Sequence, residues 1–145
     1  MATVRDLIGR KGTDVISLAP DATVLAAAQL MNERGVGAVL VVGSNGELLG
    51  IFTERDVLRR VVAVGRSPAD TPVRDVLSAD VVTCVPDTSV DECGAIMTNR
   101  RIRHLPVVDD HGLHGLVSIG DVLAHRVNEQ EATIRYLNSY MFDVR

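Results

Sequence analysis

The sequence predicts an α/β (α+β) protein made of two β-α-β-β-α units that face one another, and three observations predict it. Nearly the whole chain to about residue 127 is one unit written twice. Within each copy the apolar spacing switches from a helical period to the continuous run of a buried strand. Neither half, at roughly 60 residues, buries enough surface to be comfortable alone, so the halves should share a core.

The doubling is read directly. DVISLAPDATV (14–24) aligns with DVVTCVPDTSV (80–90), five of eleven positions being identical, and VRDLI (4–8) matches VRDVL (73–77). ERGVGAVLVVGSNG (33–46) matches NRRIRHLPVVDDHG (99–112), and GIFTERD (50–56) matches GLVSIGD (115–121).

Each element follows in order. VRDLI and VRDVL open short helices, the second with Pro72 at its first helical position behind Thr71. A β-branched strand (15–18; 81–84) then meets a Pro-Asp turn, because Pro fixes φ and Asp can close an Asx-turn. Thr23 and Ser89 should cap the next helices, whose apolar faces are Val24, Ala27, Ala28, Met31 and Val90, Cys93, Gly94, Met97. The central strands, 38–42 and 105–108, are apolar throughout and so buried on both faces, with Pro106 removing one backbone donor. Glycine turns (Ser-Asn-Gly; Asp-His-Gly) reverse the chain into strands 48–52 and 113–117, and the last helix of each unit starts at Thr53 or Ser118. The division is therefore 3–66 with the N-terminal helix, a linker at 67–72, 73–127, and a C-terminal helix and tail at 128–145. Residues 128–142 carry three of the four aromatics (Tyr136, Tyr140, Phe142) and a stripe of Ile134, Leu137 and Met141. That stripe reads either as core packing or as a docking surface for a second copy or a partner.

Composition excludes several classes. Aromatics are only 3% and tryptophan is absent, so Val, Leu, Ile and Ala must build the interior. A net charge of −4 repels nucleic acid and anionic membrane. The longest apolar runs, 24–28 and 38–42, fall far short of the ~20 residues that cross a bilayer, and MATVRDLIGRK has no signal-peptide core, so a cytoplasmic location is expected. Cys84 and Cys93 form no CxxC and read as buried apolar fillers; His111 and His114 have no third ligand spaced nearby, so no metal site is expected. No nucleophile with an adjacent base, no Gly-rich Lys-Ser loop and no carboxylate cluster is present, so no catalysis is expected.

The doubled GIFTERD/GLVSIGD motif carries two readings. A hydroxyl followed three residues on by an acid as a helix begins is a capping box, with Asp in place of Glu. The same place is also a ligand site: glycine admits a close backbone, the helix N-terminus offers N–H groups, and a carboxylate can accept two hydrogen bonds from a ribose diol.

The pattern G-h-h-[ST]-x-x-D closing a β-α-β-β-α unit, behind a hydrophobic L-P-V-V strand and a V-x-P-D-x-x-V turn, in tandem over 3–127, resembles the CBS domain family, the paired cystathionine β-synthase or Bateman modules. The resemblance implies tandem modules about a pseudo-two-fold axis, with two clefts for an adenosine-containing ligand: AMP, ADP, ATP or S-adenosylmethionine. It also implies a homodimer, a disc of four modules. Carried onto this chain, Asp56 and Asp121 would hold ribose hydroxyls with help from Thr53 and Ser118. Leu18 and Cys84, with Val36, Gly37 and Ala38 in copy one and Ile102, Arg103 and His104 in copy two, would line the adenine pocket. Arg103 would fork onto phosphate and His104 would add a donor, whereas Arg100 and Arg101 read as cations suiting a helix C-terminus. The function expected is a stand-alone regulatory module that binds such a ligand without a cofactor and signals to a protein partner by changing conformation. The alternative is a structural or interaction module with unused clefts, its T-x-x-D and S-x-x-D serving as caps.

Overall fold

The computed structural model describes residues 1–11 and 15–142. In chain order it runs α1 (Val4–Lys11), β1 (Ser17–Leu18), α2 (Val24–Arg34), β2 (Ala38–Val42), β3 (Leu48–Thr53), a short α3 (Glu54–Asp56) that continues π-wound through Val57–Val62, two 3₁₀ turns (Pro68–Asp70, Val73–Asp75), α4 (Val90–Arg100), β4 (His104–Asp109), β5 (Gly112–Ser118) and α5 (Ile119–Phe142). The caps fall where expected: Thr23 Oγ1 accepts the Ala26 N–H at 3.1 Å and Ser89 Oγ accepts the Glu92 N–H at 3.0 Å.

The first module holds a three-stranded sheet, β1 parallel to β2 and β2 antiparallel to β3; the second holds only β4–β5. Both hairpins carry a bulge at the same place in the repeat, between Val41 and Val42 and between Val107 and Val108. The strand expected at 81–84 is reduced to a single parallel bridge, Cys84 to Val107. The cause is Pro106. In the first module the Leu40 N–H donates to Ile16 O at 3.0 Å; Pro106 stands at the position matching Leu40 and has no N–H, so that rung cannot form.

The helix expected from Pro72 is also shortened, to one 3₁₀ turn with Pro72 as its N-cap rather than its first residue. Two backbone bonds end it: Ser78 N–H to Ile51 O at 2.9 Å and Ile51 N–H to Ser78 O at 3.0 Å pull the chain into a bridge with β3. A Cβ on Gly50 would lie 2.6 Å from Ser78 O, so this glycine admits the chain at Leu77 and Ser78.

Space and sequence are interleaved. Val4 and Leu7 of α1 sit in the core of the second module with Val90, Cys93, Met97, Leu105, Val107, Val117 and Val122, while Val73 and Val76 sit in the core of the first with Val24, Val39, Val41, Phe52 and Val61. The backbone ties match: Val4 N–H to Thr88 O at 2.8 Å on one side, Val73 N–H to Ala22 O at 2.8 Å on the other. The N-terminal helix, grouped with the first module by sequence order, thus completes the second. Between the modules lies a third apolar cluster, Ala38, Leu40 and Ile51 with Val15, Val42, Leu48, Val81, Leu113 and Leu116 against it.

The helix expected to start at 128 is not a separate element: α5 runs unbroken for 24 residues from Ile119. Nothing between 119 and 142 breaks it, neither proline nor a glycine beyond its first turn. Its first turns pack through Val122 and His125; Tyr136, Leu137 and Tyr140 are exposed, so core packing is not what the later stripe does.

Candidate functional site

Two clefts of about 520 and 580 Å³ open where the modules meet. Each is built from both copies. Cleft one joins Thr53 and Asp56 of the first module to Val81, Val82, Ile102, Arg103 and His104 of the second. Cleft two joins Ser118 and Asp121 of the second to Val15, Ile16, Val36, Gly37 and Ala38 of the first. Gly37, Glu54, Arg103 and His104 border both, and a Cβ on Gly37 would come within 3.1 Å of the Glu54 carboxylate, so the glycine makes room for that side chain.

Both aspartates turn back on their own first turn. Asp56 Oδ2 accepts the Thr53 N–H at 3.0 Å while Thr53 Oγ1 accepts the Asp56 N–H at 3.2 Å. Asp121 Oδ2 accepts the Ser118 N–H at 2.8 Å while Ser118 Oγ accepts the Asp121 N–H at 3.1 Å. These are reciprocal capping boxes. The cap employs one carboxylate oxygen; Asp56 Oδ1 instead meets Ser78 Oγ at 3.4 Å and Arg60 Nε at 3.6 Å on the cleft wall. Arg60 is held there by donating to the carbonyls of Val76 and Leu77 at 3.2 and 2.8 Å.

Leu18 and Cys84 do not reach a cleft. In a parallel ladder paired residues share a face, and their partners, Val41 and Val107, point into the module cores. Val15 and Ile16, or Val81 and Val82, take the lining positions. Cys84 is buried beside Cys93, and the hydrogen bond between the two thiols, with burial second, pushes its pKa well above the ordinary thiol value. At the edge of cleft two, which His114 lines, a 2.6 Å hydrogen bond from His114, reinforced by the His111 N–H, holds the Asp109 carboxyl below its ordinary value. Among the described residues no cluster of His, Cys, Asp and Glu could hold a metal ion.

Charge separates the clefts. Arg55, Arg59, Arg60, Arg101 and Arg103 line the first against Glu54, Asp56 and Asp80, whereas among the described residues Arg34 and Arg103 line the second against Glu54 and Asp121. Arg101 is a residue that sequence reasoning set aside. It occupies the left-handed C-cap of α4 at φ 54°, where the first copy has Gly35 at φ 65°. A non-glycine residue there is strained, and the Arg-for-Gly exchange between repeats was the signal that could have found it.

The CBS domain family model matches residues 3–63 and 73–128 of this chain. A CBS domain-containing protein of Arabidopsis thaliana, CBSX3, mitochondrial, is 38% identical over 147 residues, spanning 96% of this chain and 71% of its own length. The crystal structure of a CBS-domain containing protein from Agrobacterium tumefaciens is 40% identical with a TM-score of 0.81, covering 87% of this chain and 95% of that one. The CBS domain pair of protein MJ0100, solved in complex with 5′-methylthioadenosine and S-adenosyl-L-methionine, has a TM-score of 0.79 at 22% identity, covering 89% of this chain and 98% of its own. At that identity the likeness is one of fold.

Proposed function

This chain belongs to the CBS domain family, and from that premise we propose that it is a stand-alone regulatory module of the cytoplasm, a binding protein and not an enzyme, taking an adenosine-containing ligand between its modules. The observation that carries the reading is the make-up of each cleft, one wall from either module. A ligand touching both walls favours one inter-module geometry by its differential affinity, and a partner protein can sense that population. The five arginines of cleft one support a phosphorylated ligand there, AMP, ADP or ATP, with Arg103 and Arg101 on the phosphate and Asp56 Oδ1 exchanging Ser78 for ribose. The sparser charge of cleft two supports an adenosine-like ligand such as S-adenosylmethionine, as bound by the MJ0100 domain pair.

The same reading includes a homodimer. Leu58 and Val62 of the first module and Leu123 and Val127 of the second occupy matching repeat positions and are all exposed, which supports a self-complementary apolar face.

Isothermal titration of AMP, ADP, ATP and S-adenosylmethionine, with mass spectrometry of whatever co-purifies, tests the binding. Heat-silent titrations at millimolar ligand would overturn it. One observation favours a second reading, an interaction module with unused clefts: both acids already close caps. Substitution of Asp56, developed in the Discussion, separates the two.

A further inference from the structure

The second half of α5 has a spacing that its role in the fold does not explain. Leu123, Val127, Gln130, Ile134, Leu137 and Met141 follow one another at intervals of 4, 3, 4, 3 and 4 residues, an unbroken heptad seam. Written as heptads, Val127, Ile134 and Met141 fall at a, and Leu123, Gln130 and Leu137 fall at d. The opposite face, Val122 and His125, is the one that packs on the module, so the seam projects away from it, and its five apolar members are 49% to 68% exposed.

From 128 onward the helix extends about 22 Å at 1.5 Å per residue, and residues 128–141 are all exposed. An isolated stretch of about 15 residues is marginal in water, and this one exposes its apolar side. A partner helix would cover that side.

We propose that α5 zips onto α5 of a second copy of this chain as a parallel, in-register two-stranded coiled coil. Three features favour that occupant over a foreign helix. β-Branched Val127 and Ile134 at a, with Leu123 and Leu137 at d, are the combination that selects parallel dimers. Charge is self-complementary: Arg126 at g faces Glu131 at e of the other strand, twice by symmetry. Arg126 is loosely engaged within its own chain, 3.8 Å from Asp91. The seam is also continuous with Leu123 and Val127, two of the four residues of the apolar face above. Gln130, the one polar member, fixes the register because only in-register pairing sets it against itself. The proposal rests on the dimer part of the preceding reading and not on its nucleotide part.

Sedimentation equilibrium of the full chain and of an Ile134→Asp/Leu137→Asp variant tests it, and both positions are exposed in the single chain, so the fold should survive. The dimer dissociation constant should rise at least about tenfold, while any thermal shift given by nucleotide is retained. In a second measurement, Gln130→Cys should form an inter-chain disulfide when oxidised glutathione takes the two electrons, and Asn128→Cys, on the outer face, should not. An unaltered dissociation constant with no bond at 130 overturns the coil and leaves the Leu58 face standing. A weakened dimer with no bond at 130 overturns the parallel register. A wild-type chain that sediments as a monomer overturns coil and disc together, and in every case the nucleotide titration is scored separately.

Discussion

Replacing Asp56 by Asn probes both roles of the carboxylate at once. In the structure this side chain accepts from the Thr53 N–H at 3.0 Å, the Thr53 hydroxyl at 3.3 Å and the Ser78 hydroxyl at 3.4 Å, with Arg60 Nε at 3.6 Å. The amide oxygen of Asn can still take the Thr53 N–H, so the cap survives. What is lost is the charged share of these bonds, about 1 kcal/mol where charge-assisted bonds become neutral ones, and the half-exposed Arg60 contact, worth about 0–1 kcal/mol. The expected cost is thus about 1–2 kcal/mol, a fall of roughly 3–6 °C in Tm for a chain of this length. Asp56→Ala, which orphans the Thr53 N–H as well, should cost about 1 kcal/mol more. Thermal unfolding with and without AMP or ATP supplies the assay. For a regulatory site the Asn variant should lose the nucleotide-induced rise in Tm almost entirely. A full nucleotide shift in the Asn variant would refute a ribose contact at Asp56, and an apo Tm equal to wild type would refute the energetic account of the cap.

Arg101→Gly should raise apo stability by about 1 kcal/mol, because the left-handed C-cap then carries no Cβ penalty, yet weaken AMP more than adenosine; calorimetric titration of both ligands checks it. Gly50→Ala should cost about 2 kcal/mol by forcing Cβ against Ser78 O and the Leu77 side chain, whereas Gly115→Ala, whose nearest neighbour is Ile8 at 3.6 Å, should be close to neutral, as measured by urea unfolding. Cys84 and Cys93, both buried, with the Cys84 thiol held protonated by its bond to Cys93, should resist maleimide in native buffer and label together once urea unfolds the chain. For Asp109 the folded pKa lies below the unfolded one, so its stabilisation is complete above the ordinary carboxylate value of about 3.9. It fades as pH falls through the lower folded value. The stability gap between wild type and Asp109→Asn should accordingly hold at pH 5 to 7 and close in stronger acid, and pH-dependent urea curves read it.

Repetition made the fold legible. Two copies of one pattern fix which residues are equivalent, and the caps at Thr23 and Ser89, the buried central strands and the hairpins stand where the spacing put them. The departures come from what a single copy cannot reveal. Pro106 forfeits one rung, which was foreseen as a missing donor but costs a whole strand because the strand beside it was only long enough for two or three rungs. The Ser78–Ile51 bridge that shortens the second opening helix joins residues 27 apart in sequence, and nothing in VRDVLSAD announces it. The crossing of α1 into the second core is equally silent, since Val4 and Val73 sit in identical local contexts and only the far ends of the chain decide which core each enters. Of the twelve residues expected at the site, ten line the clefts and Leu18 and Cys84 do not, a consequence of which face their partners Val41 and Val107 occupy. Asp56 and Asp121 are present as expected, and each closes a cap through its Oδ2.

The interleaved cores limit what a ligand could change. With α1 buried in the second module and Val73 and Val76 buried in the first, the modules cannot swing apart without exposing fully buried side chains, Val4 and Val73 among them, each at a cost of about 1.5–3 kcal/mol. Opening both would consume the differential affinity of even a tight ligand. A slide across the third cluster, where Leu40 and Ile51 meet Leu113 and Leu116 in apolar contact, would cost less, because apolar contact is non-directional. Such a slide would carry β5 with it, and because β5 leads straight into α5 at Ile119, a displacement in the clefts would reach the 24-residue helix. Under the regulatory reading proposed above, β5 is the strand through which a cleft would act on that helix.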